Sequence, residues 1–181
     1  MEKVFIIDGP DGTGKTTLAN KLSEIYDIPI YHLTYYKDQK KFQKQFDAAT
    51  NKIQQWIRGE SGGFILDRYI LSEYAYHQAY RPDEPILAGA ELMLEMLEHR
   101  SSTGEIDVII SLPHDKEKWF NFFIELSKNR KEMYNDEKML IVYEEYLKFW
   151  KKLRYNKHIY RYDFFLNMEG NNKGKILTFD E

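Results

Sequence analysis

The sequence predicts an α/β protein with a mostly parallel sheet of about five strands and helices on both faces of that sheet. Short apolar segments alternate along the chain with longer segments of helical periodicity, and this alternation is typical of parallel sheets. The chain has 181 residues and is 43% hydrophobic, which is enough for the core of one domain. A glycine-rich loop joins the first apolar segment to the first helical one, as in sheets that bind ligands at their strand ends. We therefore expect a single domain over residues 1–181.

Five short apolar segments, each bounded by charged residues, glycine or proline, are predicted to form the strands. They cover residues 4–7, 28–33, 64–66, 107–112 and, for the last strand, either 158–165 or 175–179. Helical spacing of apolar residues predicts helices at residues 17–22, 42–57, 87–97 and 139–153, and a further helix that ends before Pro82 and Pro85. The segment at 87–97 is apolar nearly all round, so we expect that helix to be buried.

Charge and composition exclude several classes of protein. Lysine and arginine number 26 against 29 acidic residues, so no global positive field attracts nucleic acid or an anionic membrane. The lack of cysteine excludes disulfides, thiolate–zinc sites and a cysteine nucleophile. No apolar run approaches the ~20 residues of a membrane-spanning helix, and no signal peptide is expected before the first strand. We expect a cytoplasmic protein, with a homodimer as one assembly left open.

The loop at residues 9–16 reads Gly-Pro-Asp-Gly-Thr-Gly-Lys-Thr and matches a phosphate-binding motif in its strand–loop–helix context. Its backbone N–H groups and the following helix N-terminus can surround phosphate oxygens. Lys15 can reach the β- and γ-phosphates of a bound nucleotide, and the Thr16 hydroxyl can hold Mg²⁺. The chain is thus predicted to bind ATP and Mg²⁺. The residues expected to line the ATP site are Gly9, Asp11, Gly12, Thr13, Gly14, Lys15, Thr16 and Thr17.

A second motif, Asp-Arg-Tyr-Ile-Leu-Ser-Glu-Tyr-Ala-Tyr at residues 67–76, follows the third predicted strand. Together the two motifs resemble the thymidylate kinase branch of the P-loop kinases. The resemblance implies a P-loop kinase fold with a small lid at about residues 114–137. It also implies ATP-dependent phosphoryl transfer to a deoxynucleoside 5′-monophosphate, with a dTMP-like pyrimidine favoured. The compact chain is similar in size to kinases encoded by bacteriophages, in which case the host cytoplasm would be its location.

The family implies roles for four residues at matching positions. Asp11 would accept a hydrogen bond from the 3′-hydroxyl of the acceptor sugar, and Arg68 would bind the acceptor phosphate. Asp67 would help to hold hydrated Mg²⁺, and Tyr76 would lie where a 2′-hydroxyl would clash. Two differences from the family's sequence pattern concern the base of the acceptor nucleotide. An R-x-P-G segment of the family is absent, and Glu73 stands where the family often has a base-binding residue.

Two further groups of residues are candidates for the site. His32, Tyr35 and Tyr36 follow the second predicted strand and could line the acceptor pocket, or they could anchor a solvated loop. In the predicted lid, Arg130 is the candidate for the γ-phosphate, as one of three cations with Lys128 and Lys131. A solvated basic surface is the alternative for this cluster.

Four functions compete for these motifs. The acceptor is predicted to be a small nucleotide with a phosphate, because the second strand is followed by no carboxylate until Asp38 and a hydroxyl acceptor needs a base. Arg58 and Arg81, with Arg68, could supply positive charge for that phosphate. A deoxynucleoside kinase, with His32 as the base, is the nearest alternative. A kinase of a modified base in DNA and a nucleotide-binding switch are further alternatives; the charge argues against the first, and the missing guanine motif N-K-x-D against the second.

Overall fold

The computed structural model describes residues 2–34, 38–128 and 137–168, and its core is a five-stranded parallel sheet. The strands are β1 (Val4–Asp8), β2 (Ile30–His32), β3 (Phe64–Asp67), β4 (Ile106–Ser111) and β5 (Ile159–Tyr162). Their order in the sheet is β2-β3-β1-β4-β5, and Val4 of the central strand is in register with Phe64 and Ile106. The predicted sheet is confirmed, and its last strand lies within the first of the two segments that the sequence left open.

Helices follow the strands in the alternation that the sequence predicts. They are α1 (Lys15–Tyr26), α2 (Gln39–Ile57), α3 (Ile70–Tyr80), α4 (Ala90–Ser102), α5 (Lys116–Lys128), α6 (Lys138–Leu153) and α7 (Phe164–Met168). The start of α2 illustrates the local cause, because the Asp38 side chain accepts hydrogen bonds from the amides of Lys40 and Lys41. No helix in the described ranges is long and apolar enough to cross a membrane.

The helices cover both faces of the sheet, and the sheet divides the core into two layers. Neighbouring strand residues point to opposite faces, so Ile6 lies in the larger layer and Ile7 in the smaller one. The larger layer is filled by side chains of α2 to α6, and the smaller one by α1. Both isoleucines are fully buried, as strands with helices on both sides require.

The helix predicted at residues 87–97 differs from expectation. It begins at Ala90, because Gly89 with φ 81° ends the preceding loop, and it is not buried all round. Met93 and Leu97 face the core, whereas Leu92 is 63% exposed. The apolar residues on its outer side misled the sequence argument, since single exposed leucines are common on protein surfaces.

The described part of the predicted lid is α5, which packs firmly beside the glycine-rich loop. Trp119 and Phe123 are fully buried, and the indole ring stacks on Tyr143 with ring centroids 5.0 Å apart. Residues 129–136 lie outside the described ranges, so a mobile lid there stays a prediction. In this structure α5 packs against the loop that follows β1 through buried side chains.

Candidate active site

At two positions of the loop at residues 9–14, neighbouring atoms leave room for glycine and for no larger residue. The carbonyl oxygen of Ser111 occupies the space that a Cβ of Gly9 would need. Gly14 has φ 78°, and the ring of Phe164 lies where its Cβ would be. The Ser111 hydroxyl also donates to the Thr13 carbonyl at 2.6 Å. The end of β4 and the start of α7 therefore hold the loop in the shape that can surround phosphates.

The other predicted loop residues are also part of this structure. Thr13 is buried and donates from its hydroxyl to the Pro10 carbonyl at 2.8 Å. Gly12 has φ 73°, and a Cβ at this position would be in van der Waals contact with Phe123. Thr17 is exposed on the first turn of α1, one residue beyond Thr16.

The Lys15 side chain lies within this loop and is almost entirely buried. Its ammonium donates to the Pro10 carbonyl at 2.5 Å and lies 4.0 Å from Asp11 Oδ1. Burial, followed by the positive charge of Arg68, lowers the pKa of Lys15 to about 8. The loop thus holds the Lys15 ammonium group where the phosphates of a nucleotide would lie. Their negative charge would favour the protonated, fully charged form of the side chain.

Asp11, Arg68 and Tyr76 form one hydrogen-bonded group at the mouth of the loop. The Arg68 guanidinium pairs closely with Asp11 Oδ1 and donates to the Tyr76 hydroxyl at 3.2 Å. Burial would raise the pKa of the Asp11 carboxyl, but the charges of Arg68 and Lys15 hold it below its usual value. Arg68 has φ 77°, a conformation that is rare outside glycine and is often found at functional sites. The three predicted residues are thus brought together.

Asp67, at the end of β3, joins the first turn of α1 to the edge strand. Its Oδ2 accepts from the Thr16 hydroxyl at 3.0 Å and from His32 Nδ1 at 2.9 Å. Burial alone would raise the pKa of the Asp67 carboxyl. The hydrogen bond from His32 and the positive charge of Lys15 together outweigh burial, so the pKa lies below its usual value. Oδ1 is buried without a hydrogen-bond partner among residues 2–34, 38–128 and 137–168.

The Thr16 and Asp67 oxygens fit the Mg²⁺ that the sequence predicts. Mg²⁺ prefers hard oxygen ligands and is usually held by one or two protein groups together with substrate phosphates and water. A threonine hydroxyl within 3.0 Å of an ionised carboxylate, whose second oxygen is buried and unpaired in the described structure, meets this requirement.

Asp8 is a residue of this site that the sequence argument missed. It is fully buried at the end of β1, and its carboxylate accepts from the Tyr69 amide at 3.2 Å. The Ser72 hydroxyl makes a short hydrogen bond to Oδ1, and the Tyr146 hydroxyl lies 3.3 Å from the same oxygen. Burial raises the pKa of Asp8, and the bonds from Ser72 and Tyr69 offset part of that effect. A carboxylate that directly follows an apolar strand was the signal available in the sequence.

Glu73 and Arg81, which were predicted to face the acceptor base and the acceptor phosphate, bond to each other instead. Glu73 is fully buried, and its two oxygens accept from Arg81 at 2.6 Å and from the Leu87 amide at 3.2 Å. This burial argues against a contact between Glu73 and an acceptor base, because the carboxylate already joins α3 to the loop before α4. It also argues against Arg81 as a cation for the acceptor phosphate.

Of the remaining candidates, Arg58 lies within the described residues and four others do not. Arg58 is exposed after α2, where it pairs with Glu60 at 3.4 Å, and Trp56 nearby donates to the carbonyl of Glu2, which precedes β1. This is the sheet edge opposite the glycine-rich loop, so Arg58 does not belong to the site. Tyr36 and Arg130 lie outside the described residues, as do Tyr35 and Lys131.

Comparisons with known proteins show which fold the chain has. Neither a protein-family model nor a curated protein sequence matches the chain. Among solved structures, YorR from Bacillus subtilis, in complex with phosphorylated GDP, is similar with a TM-score of 0.61 and 20% identity over 90% of this chain and 86% of that one. Deoxyadenosine kinase from M. mycoides with bound dATP is similar with a TM-score of 0.59 and 15% identity, over 91% of this chain and 92% of that one. The same kinase with dCMP and dCDP gives a TM-score of 0.56 and 16% identity. The chain therefore has the fold of P-loop nucleotide kinases.

Proposed function

We propose that this protein is a kinase that transfers the γ-phosphoryl group of ATP to the phosphate of a deoxynucleoside 5′-monophosphate. One observation carries the proposal: the buried Lys15 and the partly buried Arg68, two cations from different elements, face the same Asp11 carboxylate. Phosphoryl transfer between two anions needs positive charge on both sides of the transferred group. Lys15 would serve the donor phosphates and Arg68 the acceptor phosphate.

The proposed reaction needs positioning more than it needs acid–base chemistry. A phosphate oxygen of the acceptor attacks the γ-phosphorus, the bond from that phosphorus to the β–γ bridging oxygen breaks, and ADP leaves. Lys15 and the loop amides hold the donor, while the Arg68 guanidinium reduces the repulsion between the two substrates. Mg²⁺ held by Thr16 and Asp67 would neutralise charge on the donor phosphates. Arg130 of the predicted lid would add charge at the γ-phosphate.

A deoxyribose acceptor with a pyrimidine base, dTMP in the first place, is the finer part of the proposal. It rests on the resemblance to thymidylate kinases. It is supported by Tyr76, whose buried hydroxyl accepts from Arg68 and whose ring lies 5.4 Å from the guanidinium carbon. A sugar attached to the phosphate that Arg68 binds would lie close to that ring. The small nucleotides bound to YorR and to the mycoplasma deoxyadenosine kinase support a nucleotide substrate in general.

The test is a panel of acceptors with ATP and Mg²⁺. ADP release and product mass are measured for the four common deoxynucleoside 5′-monophosphates, dTMP among them, for their ribose counterparts and for the free nucleosides. The proposal expects a diphosphate product and the highest kcat/KM with dTMP. Faster turnover of the free nucleosides would overturn it.

A deoxynucleoside kinase is the second candidate, and the His32–Asp67 contact favours it. Asp67 accepts from His32 Nδ1, so in the neutral ring Nε2 would be the acceptor nitrogen, and the side chain is 51% exposed. A histidine oriented by a buried carboxylate is a common means of removing a proton from a hydroxyl. In this case His32→Gln would lower kcat/KM for free nucleosides by a larger factor than kcat/KM for monophosphates, because loss of the His32–Asp67 contact alone would affect both kinds of acceptor alike.

A further inference from the structure

Asp8 contacts the segment that connects β3 to α3, and it does so through groups that are remote in the sequence. Tyr69 and Ser72 lie more than 60 residues along the chain from Asp8, and Tyr146 on α6 is farther still. The carboxylate therefore binds the amide of Tyr69, the residue directly before α3, although it is supplied by another strand. Its negative charge is also favourable at the N-terminus of that helix.

The contacts of Asp8 flank the residue with the unusual backbone. The Arg68 amide donates to the Ile7 carbonyl at 2.8 Å, and the next amide, that of Tyr69, donates to the Asp8 carboxylate. Two successive amides are thus bound by two successive residues of β1, with the left-handed conformation of Arg68, φ 77°, between them. Because a non-glycine residue adopts this conformation at an energetic cost, the surrounding contacts must maintain it.

We propose that Asp8 is a positioning residue, which keeps the Arg68 guanidinium directed at Asp11 and Tyr76 by fixing the turn between β3 and α3. The proposal rests on the proposed function to the extent that Arg68 binds the acceptor phosphate. Asp8 itself is fully buried beneath the turn and touches no substrate in this role. A side chain that merely stabilised the fold would affect both substrates alike, whereas loss of Asp8 should affect the acceptor alone.

The central variant is Asp8→Asn, which keeps the size of the side chain and replaces one acceptor oxygen with a donor. With the carbonyl at the Oδ1 position that faces Ser72, the new amide group replaces Oδ2, so one of the two bonds from the Tyr69 N–H becomes a contact between two donors and the turn loosens. We expect the acceptor KM to rise about tenfold and the KM for ATP to change by less than about twofold. Ser72→Ala, which removes one donor from the carboxylate, should shift the acceptor KM in the same direction by less.

Asp107→Asn is the matched control. Asp107 is also a buried aspartate of a sheet strand, and it bonds to Lys3 at 2.8 Å and to His158 at 2.9 Å. These partners lie before β1 and before β5, at the sheet edge away from the glycine-rich loop. The control should lower the melting temperature and leave both KM values unchanged.

Two further measurements decide whether Asp8 acts through Arg68. In an Arg68→Lys background, Asp8→Asn should change the acceptor KM by less than about twofold, because the positioned group is already gone. Independently of activity, the side-chain NMR signal of Arg68 in the ligand-free protein, assigned by its loss in Arg68→Lys, should shift in Asp8→Asn and stay in place in Asp107→Asn.

The outcomes separate the two proposals. Failure of the wild-type protein to phosphorylate any acceptor would remove the proposed function, and the Arg68 signal would still decide the role of Asp8. An unchanged Arg68 signal in a folded Asp8→Asn protein would overturn that role. So would an equal rise of both KM values, or a full additional loss in the Arg68→Lys background.

Discussion

Lys15 is the residue whose removal tests the phosphate site most directly. Lys15→Met keeps the buried hydrocarbon stem and removes the ammonium group, so packing should survive while the contact with the donor phosphates is lost. We expect kcat/KM to fall roughly 10²–10³-fold, as for other groups that stabilise developing charge. Steady-state ADP release measures the loss. Lys21→Met, an exposed lysine on the same helix, is the control and should have wild-type activity. Near-normal turnover in a folded Lys15→Met protein would contradict the proposed phosphate site.

Tyr76 should set the preference for deoxyribose through its ring and the position of Arg68 through its hydroxyl. Tyr76→Phe keeps the ring, so the ratio of kcat/KM for a deoxy and a ribo acceptor should remain as in the wild type. Tyr76→Leu shortens the side chain, so that ratio should fall toward one. The measurement is a pair of acceptors that differ only at the 2′-position. Equal use of both acceptors by the wild type would leave Tyr76 with a packing role.

At the scale of elements, Asp163 links the loop after β4 to α7. Its carboxylate accepts from the His114 amide at 2.7 Å, from His114 Nδ1 at 2.9 Å and from the Phe165 amide at 2.9 Å. Burial alone would raise the pKa of Asp163, but these hydrogen bonds hold it below its ordinary value of 3.8. Because α7 begins with Phe164, which lies against Gly14, this contact supports the glycine-rich loop from outside it.

The low pKa of Asp163 predicts a stability contribution that depends on pH. A carboxyl group with a folded pKa below its unfolded value stabilises the protein above the unfolded pKa and loses this effect as pH falls through the folded one. Asp163→Asn should therefore lower the free energy of unfolding by about 1–3 kcal/mol at neutral pH. Denaturant titrations should show the difference from wild type shrinking below the ordinary pKa. A difference that stays constant into strong acid, or one shared by the exposed Asp83→Asn control, would contradict this assignment.

The elements that the sequence could predict are those with a local cause. The loop at residues 9–16 and the motif at residues 67–76 are recognised from consecutive residues, short apolar segments placed the strands, and apolar periodicity placed the helices. The partners of Asp8 and Glu73 could not be predicted in this way. The contacts of Asp8 join a strand to helices far along the chain, and those of Glu73 join α3 to the loop that follows it; periodicity identifies a buried face without identifying what lies across it. Arg58 was misplaced for the same reason, because sequence distance does not tell at which edge of a sheet a residue lies.

At the scale of the whole molecule, the residues that we propose bind the donor and the acceptor lie at the same edge of the sheet. Asp8 and Asp67 end the neighbouring strands β1 and β3, and the loop between β1 and α1 follows the first of them. One ligand that spans both sites should therefore bind more tightly than the two separate substrates, because it loses translational freedom only once.

This arrangement predicts the response to a compound in which adenosine and thymidine are joined through five phosphates. At equal concentration it should raise the melting temperature more than ATP and dTMP added together, since stabilisation grows with the ratio of ligand concentration to Kd. Arg68→Ala should lose most of this extra shift and keep the shift caused by ATP. If the compound stabilises the wild type no more than ATP does, the two sites are not adjacent in the way we propose.

The central place of β1 has a consequence for the synthesis of the chain. This strand is made before both of its neighbours in the sheet, which begin only at Phe64 and Ile106. At cellular rates of translation, roughly 5–20 s separate the first strand from its second partner. Ser111, which holds the Thr13 carbonyl, is made at the end of that interval. A nascent chain thus exposes an apolar segment with unpaired edges for this time, and the loop after β1 reaches its binding shape only once β4 has been made.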